Sequence, residues 1–315
     1  MMKMLIPTTI DLDATRIPGV RTVAYDPAER IAADDLDAEI LVVWGNDAAQ
    51  LEHAATNMRR LRWIATLAAG PDGVLKAGFA DTVTITSGRA LHAAPVAEHT
   101  LGLLLAAARR LHTLRDLQRD AVWAAHLGGI QPRHEPGAFR SLIGAHVVIW
   151  GYGSIGQRLG AYLTAMDARV TGVARSAGER GGVPVVSVND VDDALRGADA
   201  LVMILPSLPA TRGILDARRL RLLPPRAWVV NVGRGDTVDE AALIEVLASG
   251  HLGGAALDVF AAEPLPKDSP LWRLPNVIVS PHAAGGRPLD AEALLAENVE
   301  RIARGEALRN TVERA

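Results

Sequence analysis

Short, continuously apolar runs alternate along the chain with segments whose apolar residues recur every three to four positions. Such runs are typical of strands in a parallel sheet that is covered on both faces. In the first part of the chain the predicted strands are residues 4–7, 23–25, 40–44, 63–67 and 83–86. In the second part they are residues 147–150, 170–174, 183–188, 200–205, 228–232, 255–259 and 277–280. The pattern predicts the α/β class, with two doubly wound parallel-sheet domains of the Rossmann-like or flavodoxin-like kind.

Helical spacing predicts helices between many of these strands. They cover residues 47–61, 95–114, 156–166, 191–196, 215–222 and 239–248. The segment 95–114 is apolar most of the way round, which indicates burial against a partner or another domain. Residues 123–139 are the least regular segment and indicate a surface loop or an arm that reaches a second subunit.

Composition narrows the classes of function. The 315 residues include 33 Lys and Arg, 36 Asp and Glu and no cysteine, so the formal net charge is −3. The lack of cysteine excludes disulfides, thiolate metal sites and a cysteine nucleophile. His126 and His134 do not have the spacing of zinc ligands, and no metal site is predicted. The small net charge gives no reason to expect nucleic acid or an acidic membrane as a partner.

The distribution of apolar residues also bears on location. The first residues lack the long apolar core of a signal peptide. The longest uncharged stretch, which ends at Gln157, is shorter than the about 20 residues that span a bilayer. We therefore predict a cytoplasmic protein that does not enter a membrane.

A glycine-rich turn follows the strand at 147–150. It reads Gly151-Tyr152-Gly153-Ser154-Ile155-Gly156, and a predicted helix continues from it. In a dinucleotide-binding turn the first glycine allows the tight turn, the second lets the backbone approach a pyrophosphate, and the third lets helix pack on strand. The N–H groups at the start of the helix then face the phosphates. The strand and helix on either side favour this interpretation over a plain glycine turn.

The end of the next strand bears on which dinucleotide binds. An acidic residue about 20 positions after the glycine turn holds the ribose 2′-hydroxyl of NAD. Ala174 lies 18 residues after Gly156, and Arg175 and Ser176 follow it. A guanidinium and a hydroxyl suit a 2′-phosphate, and the repulsion of a carboxylate is missing. The sequence therefore favours NADPH over NADH, with a solvated loop arginine as the alternative.

Three further polar features each follow an apolar strand. Arg234 stands between two glycines, Glu263 precedes Pro264, and His282 follows Pro281. In an open α/β sheet, residues at these positions meet at the carboxyl edge, where ligands bind. Singly, each is usually a loop or structural residue. Their order behind a nucleotide turn suggests an arginine anchor for a carboxylate and a histidine acid/base.

Together with residues 95–98, 205–206, 211–213 and 298–312, these features resemble the D-isomer-specific 2-hydroxyacid dehydrogenase family over nearly the whole chain. The resemblance implies that Arg234 binds the substrate carboxylate and polarises its keto oxygen. It implies that His282 is the acid/base, and that Glu263 orients His282 and favours its charged form. The expected reaction is the reduction of a small 2-keto acid to a D-2-hydroxy acid.

The family also implies further site residues and a domain layout. Ala69 and Gly70 would hold the substrate carboxylate, and Pro71 follows them at a position where a more flexible residue is expected. Further cofactor contacts would come from Leu205, Pro206, Thr211, Val232, Gly233 and Asp258. For the apolar members of this set, core packing is an equally good interpretation. The substrate domain would comprise residues 1–94 and 287–315, the dinucleotide-binding domain residues 95–286, and the cleft between them would take the substrate.

Several members of the family fit these residues. Arg175 and Ser176 resemble the NADPH-using glyoxylate and hydroxypyruvate reductases, which is the preferred subgroup. A short phosphoglycerate dehydrogenase and a nucleotide-binding protein of the corepressor kind remain alternatives. By the same resemblance we expect a homodimer built on the cofactor domain, through the apolar helix and the irregular segment at 123–139.

Overall fold

The computed structural model describes residues 1–129 and 139–314. The chain folds into two compact units, Met1–His92 with Arg287–Ala315 and Ala93–Gly286. Of the irregular segment at 123–139, residues 130–138, including His134, lie outside the described residues. None of the helices in the two described ranges is both long and apolar enough to cross a membrane.

The strands of the described ranges are short and mostly buried. They are β1 (Met2–Pro7), β2 (Val20–Tyr25), β3 (Ile40–Val43), β4 (Trp63–Thr66), β5 (Thr84–Thr86), β6 (His146–Trp150), β7 (Arg169–Ala174), β8 (Gly178–Arg180), β9 (Val183–Ser187), β10 (Ala200–Met203), β11 (Trp228–Asn231), β12 (Gly254–Leu257) and β13 (Val277–Val279).

The α-helices alternate with these strands. They are α1 (Ala48–Asn57), α2 (Asp72–Lys76), α3 (Ala93–Ala108), α4 (Leu111–Arg119), α5 (Ser154–Ala165), α6 (Val191–Leu195), α7 (Ala217–Leu220), α8 (Glu240–Ala248) and α9 (Ala291–Arg304). Three of them begin where an aspartate side chain accepts a hydrogen bond from a backbone N–H of the first turn, which satisfies a donor that the helix itself leaves unpaired. These aspartates are Asp47, Asp216 and Asp239.

The first unit contains a five-stranded parallel sheet in the order β2-β1-β3-β4-β5. This is the flavodoxin-like order, in which the chain works outward in both directions from β1 and β3. Alternate residues of β1 enter different cores: Leu5 packs in one apolar cluster, and Met4 and Ile6 pack in the other. The sheet is therefore covered on both faces, as the continuous apolar runs predict.

The second unit contains an eight-stranded sheet in the order β13-β12-β11-β10-β6-β7-β9-β8. The seven strands other than β8 are parallel and follow the Rossmann order. Val147 and Ile149 of β6 pack in the core on one face, and Val148 and Trp150 pack in the core on the other. Two doubly wound sheets confirm the predicted fold class.

The predicted helix at 95–114 is wrong in its length. The structure has two helices, α3 and α4, which are separated at Arg109 and Arg110. Arg110 has a positive φ of 53°, a left-handed conformation that does not continue a right-handed helix. Neither residue is a glycine or proline, so the sequence carries only the weaker stop signal of basic residues there.

The edge strand β8 is not among the predicted strands. It pairs antiparallel with β9, so that Arg180 lies opposite Val183. Gly181 and Gly182 form the two-residue connection, with φ values of 62° and 77°. Two successive positive φ values belong to the tight hairpin turn that Gly-Gly favours. The Gly-Gly dipeptide was therefore an available signal for this hairpin.

Candidate functional site

The register of the second sheet places the predicted site residues along one edge. Cross-strand pairs align Val173, Trp150, Met203, Asn231, Leu257 and Val279 on six parallel strands, β7, β6, β10, β11, β12 and β13. On each strand, the residue three positions after the aligned one lies beyond the end of the strand. In the same strand order these residues are Ser176, Gly153, Pro206, Arg234, Phe260 and His282. Neighbouring strands lie about 4.8 Å apart, so these residues begin from adjacent points on the carboxyl edge of the sheet. This edge is where ligands bind in open α/β folds.

The glycine turn lies at the point where the strand order reverses, between β6 and β10. Gly151 has a φ of 109°, and a Cβ added there would come within 2.3 Å of the carbonyl oxygen of Ile204. Only glycine fits this close approach to the neighbouring strand.

The start of α5 fits a pyrophosphate. Gly153 is the N-cap residue and, as a glycine, has no side chain to accept a hydrogen bond from the first turn. A Cβ added to Gly153 would meet no atom of residues 1–129 and 139–314 within 4 Å, so these residues leave the space beside it open. Ser154 and Ile155 are the first two helical residues, and their N–H groups belong to the unpaired set at a helix N-terminus. The turn thus offers unpaired donors, the positive end of the helix dipole and room for a phosphate.

Arg180 lies close to the predicted 2′-phosphate residues and is missing from the sequence prediction. Its Nη2 donates to Ser176 Oγ at 3.0 Å and to the Ser176 carbonyl oxygen at 3.1 Å. Its Nη1 donates to the carbonyl oxygen of Tyr152, inside the glycine turn, at 3.0 Å. Arg175 is exposed at the end of β7. The hairpin at 178–187 therefore brings a second guanidinium to the end of β7.

The turn that carries Arg234 is held by buried polar side chains. Asn231 donates to the Arg234 carbonyl oxygen at 3.1 Å, and its own oxygen accepts from the N–H of Gly233 at 3.1 Å. Thr237 Oγ1 also donates to the Arg234 carbonyl oxygen, at 2.7 Å. A Cβ on Gly233 would come within 2.6 Å of the Leu205 nitrogen. These contacts fix the backbone from which the Arg234 guanidinium extends.

The side chains of His282 and Glu263 form a hydrogen-bonded pair. His282 Nδ1 lies 2.8 Å from Glu263 Oε2, and the other carboxylate oxygen accepts from the N–H of Phe260 at 3.0 Å. An ionised carboxylate only accepts hydrogen bonds, so Nδ1 carries the hydrogen and Nε2 is the nitrogen left for proton exchange. The side chains are 48% and 36% exposed, so a substrate has access to the imidazole.

Asp258 lies behind this pair and is 1% exposed. Its Oδ1 accepts from Ser280 Oγ at 2.6 Å and from the N–H of Ala283 at 2.9 Å, and its Oδ2 accepts from the N–H of Ala284 at 3.0 Å. Its carbonyl oxygen accepts from the N–H of His282 at 2.9 Å. Asp258 thus binds the turn that carries the histidine.

The structure brings some predicted residues together and leaves others apart. Glu263, His282 and Asp258 form one network, whereas the Arg234 guanidinium donates to the adjacent Gly233 carbonyl oxygen at 2.9 Å. Ala69 and Gly70 follow β4, in the first unit.

The remaining predicted cofactor residues differ in their surroundings: some pack in the apolar cores, and one closes a loop. Val232 is buried in the core, and Leu205 packs against the core on the opposite face of the sheet. Thr211 donates to the carbonyl oxygen of Pro206 at 2.6 Å, which closes its own loop. Core packing thus accounts for the two apolar positions whether or not they also line a cofactor.

Comparisons with known proteins agree with this geometry. Residues 101–284 match the family model described as D-isomer specific 2-hydroxyacid dehydrogenase, NAD binding domain. The chain is 29% identical to D-3-phosphoglycerate dehydrogenase of Methanocaldococcus jannaschii over 99% of its own length and 59% of that protein. It is also 29% identical to glyoxylate/hydroxypyruvate reductase A of Serratia proteamaculans, over 95% of the chain and 92% of that protein. The chain therefore spans little more than half of the first relative and nearly all of the second.

A solved structure provides a further comparison. The NADPH-dependent glyoxylate/hydroxypyruvate reductase of Sinorhizobium meliloti, crystallised with NADP and sulfate, superposes with a TM-score of 0.76 at 29% identity. The match covers 99% of this chain and 98% of that one, so it includes both units.

Proposed function

Since the chain belongs to the D-isomer specific 2-hydroxyacid dehydrogenase family, we propose that it reduces a small 2-keto acid to the D-2-hydroxy acid with NAD(P)H. The observation that carries the proposal is the His282–Glu263 pair, with a contact of 2.8 Å, on the sheet edge that also bears the glycine turn and Arg234. A proton donor, a cationic anchor and a dinucleotide turn are the three requirements of this reaction.

Three side chains at this edge, those of Arg234, His282 and Glu263, would each have a role in the reaction. The bound cofactor supplies the hydride that reduces the keto carbon. Arg234 binds the substrate carboxylate with its planar guanidinium and stabilises the charge that develops on the keto oxygen. His282 donates the Nε2 proton to that oxygen, and Glu263 holds the imidazole by Nδ1 in the orientation that the transfer requires. In the oxidative direction His282 accepts the proton.

The preferred cofactor is NADPH. Arg175 and Ser176 would bind the 2′-phosphate, and Arg180, which contacts Ser176 Oγ at 3.0 Å, adds a second cation. Ala174 leaves no carboxylate at the end of β7 to repel the phosphate. The double change Ala174→Asp and Arg175→Ala should shift the ratio of kcat/KM for NADPH and NADH toward NADH. An unchanged ratio would contradict the assignment.

The substrate side is proposed from the family. The first unit would hold the substrate carboxylate through Ala69 and Gly70, and the second unit would hold the cofactor. Glyoxylate and hydroxypyruvate are the preferred substrates, because a reductase of that specificity matches over 92% of its own length. A phosphoglycerate dehydrogenase is the second candidate, because that enzyme also matches across 99% of this chain.

A cytoplasmic homodimer is the proposed assembly. Helix α4 contains no buried residue, and its Leu111 and Leu114 are 50% and 40% exposed. Trp123, which follows this helix, is 92% exposed. Apolar side chains that face solvent next to one another mark an interaction surface. Sedimentation at several protein concentrations would measure the assembly, and a monomer at all of them would contradict it.

The activity is tested by following NADPH absorbance with glyoxylate, hydroxypyruvate, pyruvate, phenylpyruvate and 3-phosphohydroxypyruvate. We expect turnover with at least one of them, and His282→Ala should abolish it while nucleotide affinity remains. Arg234→Lys should raise KM and lower kcat, because an ammonium does not reproduce the two-point contact of a guanidinium. Nucleotide binding without turnover of any substrate would reject the dehydrogenase and favour a binding protein of the corepressor kind.

A further inference from the structure

Residues 282–284 form the turn that carries His282, which we call the catalytic turn. Three successive backbone N–H groups of this turn bind one residue. The N–H groups of His282, Ala283 and Ala284 donate to Asp258, to its carbonyl oxygen, Oδ1 and Oδ2 respectively, at 2.9, 2.9 and 3.0 Å. His282 itself has a φ of 52°, which is a left-handed conformation that residues other than glycine seldom adopt. Such a conformation persists only where surrounding contacts impose it. The Asp258 clamp, meaning these three hydrogen bonds, provides those contacts.

The clamp is itself fixed by two side chains. Ser280 Oγ lies 2.6 Å from Asp258 Oδ1 and donates its single hydrogen, because a carboxylate only accepts. His99 Nε2 lies 3.1 Å from Ser280 Oγ and 3.4 Å from Asp258 Oδ1. Since the serine hydrogen is already used, His99 Nε2 must be the donor in its contact with Ser280. The hydrogen bonds therefore run in one direction, from His99 through Ser280 to Asp258.

Resting on the proposed acid/base role of His282, we infer that His99 is a positioning residue for catalysis. It lies on α3, far from the catalytic turn in sequence, and its side chain is 28% exposed. With Ser280 it holds the Asp258 carboxylate in the one orientation that accepts both the Ala283 and Ala284 N–H groups. Without it, the carboxylate rotates more freely and the His282 imidazole loses its fixed placement. A displacement of about 1 Å at such a group lowers a rate by up to about a hundredfold.

The test compares four variants by kinetics and hydrogen exchange. His99→Leu removes the donor and keeps a similar apolar volume, whereas His99→Gln keeps an amide donor that reaches Ser280. Ser280→Ala removes the intermediate hydroxyl, and the double variant His99→Leu/Ser280→Ala tests whether the two residues act in series. His146→Leu is the matched control, because His146 Nε2 also contacts a hydroxyl, that of Thr171 at 2.9 Å, at the opposite edge of the same sheet.

We expect His99→Leu and Ser280→Ala each to lower kcat by roughly tenfold or more. The double variant should lose no more than either single one, because both act through Asp258. His99→Gln should recover most of kcat, and His146→Leu should match the wild type. Wild-type kcat in His99→Leu, or fully multiplicative losses in the double variant, would overturn the inference.

Hydrogen exchange at the amides of Ala283 and Ala284, which bind the Asp258 carboxylate, provides a measurement that needs no turnover. In His99→Leu these amides should exchange at least about tenfold faster than in the wild type, and in His99→Gln they should remain protected. A structural role elsewhere would lower the melting temperature and leave these two amides unchanged, and that result would also overturn the inference. If the wild type turned over no 2-keto acid, the proposed function would fail, and the exchange rates alone would decide on the clamp.

Discussion

A methyl group added at Gly235 should separate the two loops that carry the proposed catalytic residues. Gly235 directly follows Arg234, and a Cβ built on it would lie 1.9 Å from the backbone carbonyl carbon and oxygen of Phe260. Ordinary contact begins at 3.4 Å, so the two backbones must move apart by about 1.5 Å. The N–H of Phe260 binds Glu263 Oε1 at 3.0 Å, so the movement passes to the Glu263–His282 pair.

A shift of this size should lower kcat of Gly235→Ala by about a hundredfold. The crowding should also lower the free energy of unfolding by about 1–3 kcal/mol. The glycine turn lies two strands away in the sheet, so the change in affinity for NADPH should be smaller than the change in kcat. Steady-state kinetics, urea unfolding and nucleotide titration of one preparation separate these three effects.

Gly102→Ala is the matched control for Gly235→Ala. Gly102 is exposed on α3, and a Cβ there would meet no atom within 4 Å. The same methyl group should therefore leave kcat unchanged and stabilise the helix by about 0.5–1 kcal/mol. Wild-type kcat in Gly235→Ala would refute the reasoning, because it would show that the two loops move apart without disturbing the acid/base pair.

Three further predictions concern stability. Gly172→Ala should lower the free energy of unfolding, measured by urea denaturation, by about 1–3 kcal/mol, because the added Cβ would lie 2.5 Å from Cγ of the buried Tyr152 ring. An unchanged free energy of unfolding would contradict this packing. Asn298→Ala should lower the free energy of unfolding by about 1–3 kcal/mol, since the buried amide hydrogen-bonds both the N–H and the carbonyl oxygen of Arg309. A urea midpoint equal to that of the wild type would argue against these bonds. Hydrogen bonds from Arg218, which has the larger effect, and from Arg219 hold the pKa of Asp192 below its ordinary value of 3.8. The lowered pKa contributes stability that is present above pH 3.8 and is lost as the pH falls through the folded-state pKa. In Asp192→Asn the melting temperature should therefore fall less steeply with decreasing pH at the acid end of the profile. An unchanged slope there would contradict this prediction.

The sheet edge that carries the candidate site was predictable because strands and turns carry local signals. Continuous apolar runs indicated the parallel strands, and the glycine spacing indicated the turn at 151–156. In a parallel sheet the carboxyl ends of all strands lie at the same edge, so residues such as Arg234 and His282 must share it. No such signal marks the break at Arg110, where a left-handed residue divides one apolar pattern into two helices.

By itself, the sequence determined the fold class and the chemical types of side chain at the candidate site, since periodicity and turn chemistry depend on neighbouring residues. Only the tertiary structure decided which distant residues meet. Arg180 reaches Ser176 through a hairpin, and His99 reaches Asp258 from a helix that lies 159 positions earlier in the chain. Contacts of that kind depend on how strands are ordered and how side chains pack between them, and a pattern of neighbouring residues does not encode this order.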